Sequence, residues 1–126
     1  MAKNNKKILV VEDEATLQKA LNDVLSGEGF DVVSALDGEK GLQMAKDEKP
    51  DIVLLDIILP KMDGFEVLTR LKSMDETKEV PVIILTNLSD LDNIQKALDL
   101  GATTYLVKAD FHLDDVLKKI KTTLKM

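Results

Sequence analysis

Ile52-Val53-Leu54-Leu55-Asp56 is an unbroken apolar run closed by a carboxylate. A strand apolar at every position is buried on both faces, as in a parallel sheet covered by helices on each side. A charge at its end is delivered to the rim of that sheet, where open α/β proteins keep their ligand crevices. Working outward, three other runs end in polar groups. Ile8-Leu9-Val10-Val11 leads into Glu12 and Asp13, Val82-Ile83-Ile84-Leu85 into Thr86, and Tyr105-Leu106-Val107 into Lys108. If these strands are parallel, one edge gathers three acids, a hydroxyl and an ammonium. Such an edge can hold a divalent cation and a phosphoryl group.

The intervening segments fit that plan. Leu17, Ala20, Leu21, Val24 and Leu25 share one side of a helix over about Glu14 to Ser26, which Gly27 and Gly29 stop. A second strand covers about Asp31 to Ala35, and Asp37 caps a helix through Lys46, with Pro50 ahead of the third strand. Asp63 with Glu66 resembles a capping box for helix three, and Pro81 opens strand four. Ser89 with Asp92 begins helix four, Gly101 ends it, and strand five follows from about Thr103 to Val107. The last helix carries Leu113, Val116, Leu117, Ile120 and Leu124 as one stripe. Crossovers of this length suit right-handed βαβ units. The expectation is one α/β domain over residues 1–126, with its core at about 6–124.

With 126 residues and 44% hydrophobic content, the chain is long enough for a real core. No apolar run approaches the ~18 residues of a membrane span, and the polar start lacks the apolar stretch of a secretory signal. Without cysteine, no disulfide framework or thiolate metal site is available. A cytoplasmic location is expected. The net charge of -6 argues against general nucleic-acid binding. Lys118, Lys119, Lys121 and Lys125 read as the wet face of the last helix, complementing its dipole. His112 reads as a surface residue.

The set Val10-Val11-Glu12-Asp13, Leu55-Asp56-Ile57-Ile58-Leu59-Pro60 with Asp63-Gly64, Leu85-Thr86, and Gly101-Ala102 leading to Tyr105-Leu106-Val107-Lys108 closely resembles the receiver domains of response regulators, the chemotaxis regulator among them. The resemblance covers nearly all of the chain. It implies a flavodoxin-like (βα)5 fold with a five-stranded parallel sheet in order 2-1-3-4-5. It implies Asp56 as the phosphoacceptor, and Glu12, Asp13, Asp56 and the backbone carbonyl of Ile58 as a Mg2+ site. Asp13 would be the direct ligand, and Glu12 would act largely through water. Thr86 and Lys108 would contact phosphoryl oxygens, and Tyr105 would turn inward once Thr86 moves. Chemistry agrees, because a carboxylate can hold a phosphoryl group covalently and magnesium needs few protein ligands.

The function implied is a stand-alone phosphorylation switch of a two-component system rather than an enzyme. A sensor histidine kinase or histidine phosphotransfer protein would donate to Asp56. The face made by helix four, strand five and helix five would shift and pass the signal to a separate downstream protein. The chain would be a monomer or a weak, phosphorylation-dependent dimer. The alternative is a phosphorylation-independent pseudo-receiver that serves as an interaction module. A haloacid-dehalogenase-like phosphatase is disfavoured by Ile58, where that family has a second acid, and a flavin protein by the acidic edge.

Two positions depart from the family pattern. Ala109 stands where the family usually has a proline joined by a cis peptide. A cis bond before a non-proline residue costs roughly 2.5–4 kcal/mol, so a trans Lys108-Ala109 bond is expected. Ile58 and Leu88 are apolar and cannot orient a hydrolytic water, which implies slow decay of the aspartyl phosphate.

Overall fold

Five apolar runs of this chain pair side by side in a computed structural model that describes residues 5–87, 91–108 and 112–126. In chain order the elements are β1 (Lys7–Val11), α1 (Ala15–Gly27), β2 (Asp31–Ala35), α2 (Gly38–Glu48), β3 (Ile52–Asp56), α3 (Gly64–Ser73), β4 (Val82–Thr86), α4 (Leu91–Asp99), β5 (Thr104–Val107) and α5 (Leu113–Thr123). The strands form one parallel sheet in the order β2-β1-β3-β4-β5. This is the flavodoxin-like arrangement that the sequence implied.

The sheet separates two apolar layers. Leu9, Val11, Val53, Leu55, Val82 and Ile84 face Ala45 of α2, Val67, Leu68 and Leu71 of α3, and Ala97 of α4. Ile8, Val10, Ile52, Leu54, Ile83 and Leu85 face Leu21 and Leu25 of α1 and Val116 and Ile120 of α5. Burial on both faces is why the central strands show no polar alternation. The chain leaves β1 toward one edge and β3 toward the other, so their carboxyl ends flank a crevice.

Helix boundaries follow local chemistry. Asp37 accepts from Lys40 N at 2.7 Å and starts α2. The helix runs past Lys46 to Glu48, because Lys49 ends it in the left-handed region at φ 50°. Pro50 disfavours the right-handed helical conformation at the residue before it. Only half of the capping box at α3 forms. Asp63 Oδ1 accepts from Glu66 N at 3.0 Å, while the Glu66 carboxylate turns to Arg70 Nε at 3.0 Å. Strand five starts at Thr104, one residue later than expected. Thr103 still reaches β4 through its N–H, 2.8 Å from Val82 O. Ser89 lies outside the described residues, so the start of α4 assigned to it does too.

Gly64 is where the fold requires a missing side chain. A Cβ there would lie 2.4 Å from Asp56 O and 2.5 Å from Ile57 Cα. Its N–H donates to Ile57 O at 2.6 Å, drawing the start of α3 against the end of β3.

Candidate phosphoacceptor and metal site

Strand register builds the site. Val11 pairs with Leu55, so the next residue of each strand, Glu12 and Asp56, sit side by side at the rim. Asp56 pairs with Leu85, and Thr86 pairs with Val107, which puts Thr86 and Lys108 on the neighbouring strand ends. Alternation sorts the side chains by face. Glu12, Asp56 and Lys108 are in step with Val10, Leu54 and Leu106, on the α1/α5 side. Thr86 is in step with Val82 and Ile84 on the opposite side, where half-buried Tyr105 packs against the core.

Lys108 binds the acids together. Its Nζ donates to Asp56 Oδ2 at 2.7 Å and lies 2.5 Å from Glu12 Oε1. Asp56 Oδ1 accepts from Ile58 N at 3.1 Å, and Glu12 Oε2 accepts from Glu14 N at 3.0 Å. Both acids are buried, and Asp13 is exposed beside them. Lys108 N donates to Thr86 O at 2.6 Å, which fixes the root of the lysine against β4. Thr86 itself is buried at its strand end.

Burial pushes Glu12 up from 4.5 to about 7. The Lys108 contact and the Glu14 N–H oppose that rise, and the nearby Asp56 charge adds to it. Mutual repulsion between carboxylates, which the sequence reading stressed, is therefore the lesser cause. Burial acts to lower Lys108, but its contacts with Asp56 and Glu12 outweigh this and leave it raised. Below pH 4.5 Glu12 is protonated in both folded and unfolded chains; above about 7 it is ionised in both. Between these limits the folded chain holds the extra proton, so stability falls as pH rises. The loss for the metal-free protein is on the order of 3 kcal/mol across that window. Urea unfolding of the metal-free chain at a series of pH values should show this slope, and Glu12→Gln should flatten it. An unchanged slope in that variant would assign the effect elsewhere.

The donor set suits a hard cation. One carboxylate oxygen from each of Glu12, Asp13 and Asp56 lies within 4.8 Å of the others. Glu12 Oε1 is buried without a directed hydrogen bond; Lys108 meets it as a charge contact alone. Magnesium suits such a site, because it keeps several waters and takes few carboxylates.

Sequence reasoning brought the right residues to one rim but missed two relationships. Glu12 is fully buried and touches Lys108 directly, and Gln18 holds the backbone of the acidic turn. Only the position of Gln18 four residues after Glu14, on the first turns of α1, hinted at the second. Ile58 is exposed. Leu88 and the Lys108-Ala109 peptide lie outside the described residues. His112 caps α5 from an exposed position, with its N–H donating to Asp115 Oδ2 at 3.1 Å.

Known proteins share this arrangement. The family of the response regulator receiver domain matches residues 8–121. Sporulation initiation phosphotransferase F of Bacillus subtilis (strain 168) is 39% identical over 122 residues, covering 97% of this chain and 96% of that protein. The chain spans about half the length of other curated relatives, including probable transcriptional regulators ycf27. A putative response regulator from Chloroflexus aurantiacus superposes with a TM-score of 0.89 at 30% identity, covering 96% of this chain and 98% of that one. A CheX–CheY complex with BeF3 and Mg2+ from Borrelia burgdorferi gives 0.87 at 31% identity, covering 94% and 89%. Among the described residues no helix is long and apolar enough to cross a membrane. With the rim of acids, hydroxyl and lysine in place and the match running from β1 into α5, the chain belongs to the response regulator receiver domain family.

Proposed function

We propose that Asp56 accepts a phosphoryl group from a phosphohistidine of a sensor kinase or phosphotransfer protein, and that the chain works as a cytoplasmic phosphorylation switch. The observation carrying this is Asp56 itself, buried at its strand end with Lys108 on one oxygen and the acidic pair alongside. An Asp56 oxygen attacks phosphorus, the phosphorus–nitrogen bond of the donor breaks, and its electron pair stays on the imidazole. A metal held by Glu12, Asp13, Asp56 and the Ile58 carbonyl supplies charge neutralisation to the transferring group. Lys108 supplies the second positive charge and holds Asp56 in place before the donor arrives.

The phosphoryl group then draws the Thr86 hydroxyl and the Lys108 ammonium, Tyr105 turns inward, and the α4/β5/α5 face shifts to meet a downstream protein. Such a shift is limited by the difference between the interactions of the phosphoryl group with the two states. The magnesium and BeF3 bound in the Borrelia complex support the metal and phosphoryl parts of this reading. Exposed, apolar Ile58 supports slow hydrolysis, since nothing at that position orients water.

Incubation with a small acyl phosphate and magnesium, followed by intact mass, tests the proposal. One phosphoryl group should be gained and then lost slowly after the donor is removed, with faster loss in Ile58→Asn. No gain would favour a phosphorylation-independent interaction module. Continuous release of inorganic phosphate without a stable adduct would indicate a phosphatase.

A further inference from the structure

Gln18 is a half-buried amide beside the apolar stripe of α1, next to Leu17 and one turn before Leu21. A polar side chain in such a place must find partners. Its Nε2 donates to Glu12 O at 3.1 Å and to Ala35 O at 2.9 Å. Ala35 O also accepts from Glu12 N at 3.1 Å. Glu12 is thus held at its N–H by β2, at its carbonyl by Gln18, and at its carboxylate by Glu14 N. Glu14, the residue preceding α1, gives the helix no side-chain cap, so the Glu12 carboxylate and Gln18 together secure the turn.

The carbonyl of Glu12 belongs to the peptide plane that carries Asp13. Rotation of that plane would swing the exposed Asp13 carboxylate away from Glu12 and Asp56. We propose that Gln18 is a positioning residue for the acidic turn: by gripping the Glu12 and Ala35 carbonyls it presets the direction in which Asp13 and Glu12 offer oxygens to a divalent cation. The inference rests on the metal reading above and adds to it a residue that touches neither metal nor phosphoryl group.

Magnesium titration followed by backbone amide shifts tests it on the whole chain. Gln18→Met keeps size and loses both donors. It should weaken magnesium binding by about 10-fold, the lower range for loss of a supporting hydrogen bond at a metal site. Gln18→Lys, which keeps donors on a longer stem, should recover most of that loss. In the metal-free Gln18→Met chain, the Glu14 amide should exchange with solvent faster, while exchange across β3 and β4 stays unchanged. With magnesium saturating, the rate of phosphorylation by a small acyl phosphate should match the natural chain, since Asp56 and Lys108 are untouched. Unchanged magnesium affinity in Gln18→Met, or equal losses in the methionine and lysine variants, would overturn the proposal. Failure of the natural chain to bind magnesium would instead remove the metal reading, and this proposal with it.

Discussion

Asp56→Asn should take up no phosphoryl group from a small acyl phosphate under conditions where the natural chain takes up one. The amide has no anionic oxygen to form the acyl phosphate bond, and no other acid among the described residues receives both the Lys108 ammonium and the Ile58 N–H. The variant should still fold. Lys108 keeps its contact with Glu12, so the buried ammonium is not abandoned. That matters because removing one partner of a buried ion pair costs about 3–5 kcal/mol when the other charge is left alone. Loss of the Asp56 charge should also lower the pKa of Glu12, since that charge helps to raise it. Intact mass after donor treatment reads the first effect and carboxylate titration by NMR the second. Phosphoryl uptake by Asp56→Asn would place the acceptor elsewhere.

Gly64→Ala should damage both stability and chemistry. The added Cβ would sit 2.4 Å from Asp56 O and 2.5 Å from Ile57 Cα, distances that only backbone movement can relieve. Overpacking of this kind costs about 3 kcal/mol or more when backbone must move. For a domain of this size that lowers Tm by roughly 10 °C. The strain falls on the strand end that aims Asp56, so phosphoryl uptake should slow even in the folded fraction. Thermal unfolding and uptake measured below the transition separate the two. A variant as stable and as reactive as the natural chain would show that α3 can withdraw from β3 without consequence.

Much of this was legible from the chain, for identifiable reasons. Strands three and four are continuous apolar runs between turn signals, and their ends were placed to the residue. Asp37 and Asp63 acted as caps because a carboxylate ahead of a helix accepts the free N–H groups of its first turn. The end of α2 was misjudged, because Lys49 adopts a left-handed conformation that its side chain does not advertise. The site residues were legible as strand ends. Their mutual contacts were not: the Lys108 approach to Glu12 depends on register across three strand pairings, and register is a property of the assembled sheet. Gln18 escaped notice because a glutamine beside an apolar stripe looks like an ordinary solvent-facing position until its two carbonyl partners are seen.

The alternation of side chains across the sheet has a consequence for how such a protein diversifies. Glu12, Asp56 and Lys108 answer to the α1/α5 layer, whereas Thr86 and Tyr105 answer to the layer beneath α3 and α4. Reagents and readout therefore occupy opposite sides of one partition, joined only at its lip. Substitutions that retune the listener can accumulate beneath α4 while the charge trio stays fixed, so new audiences need not relearn the reaction.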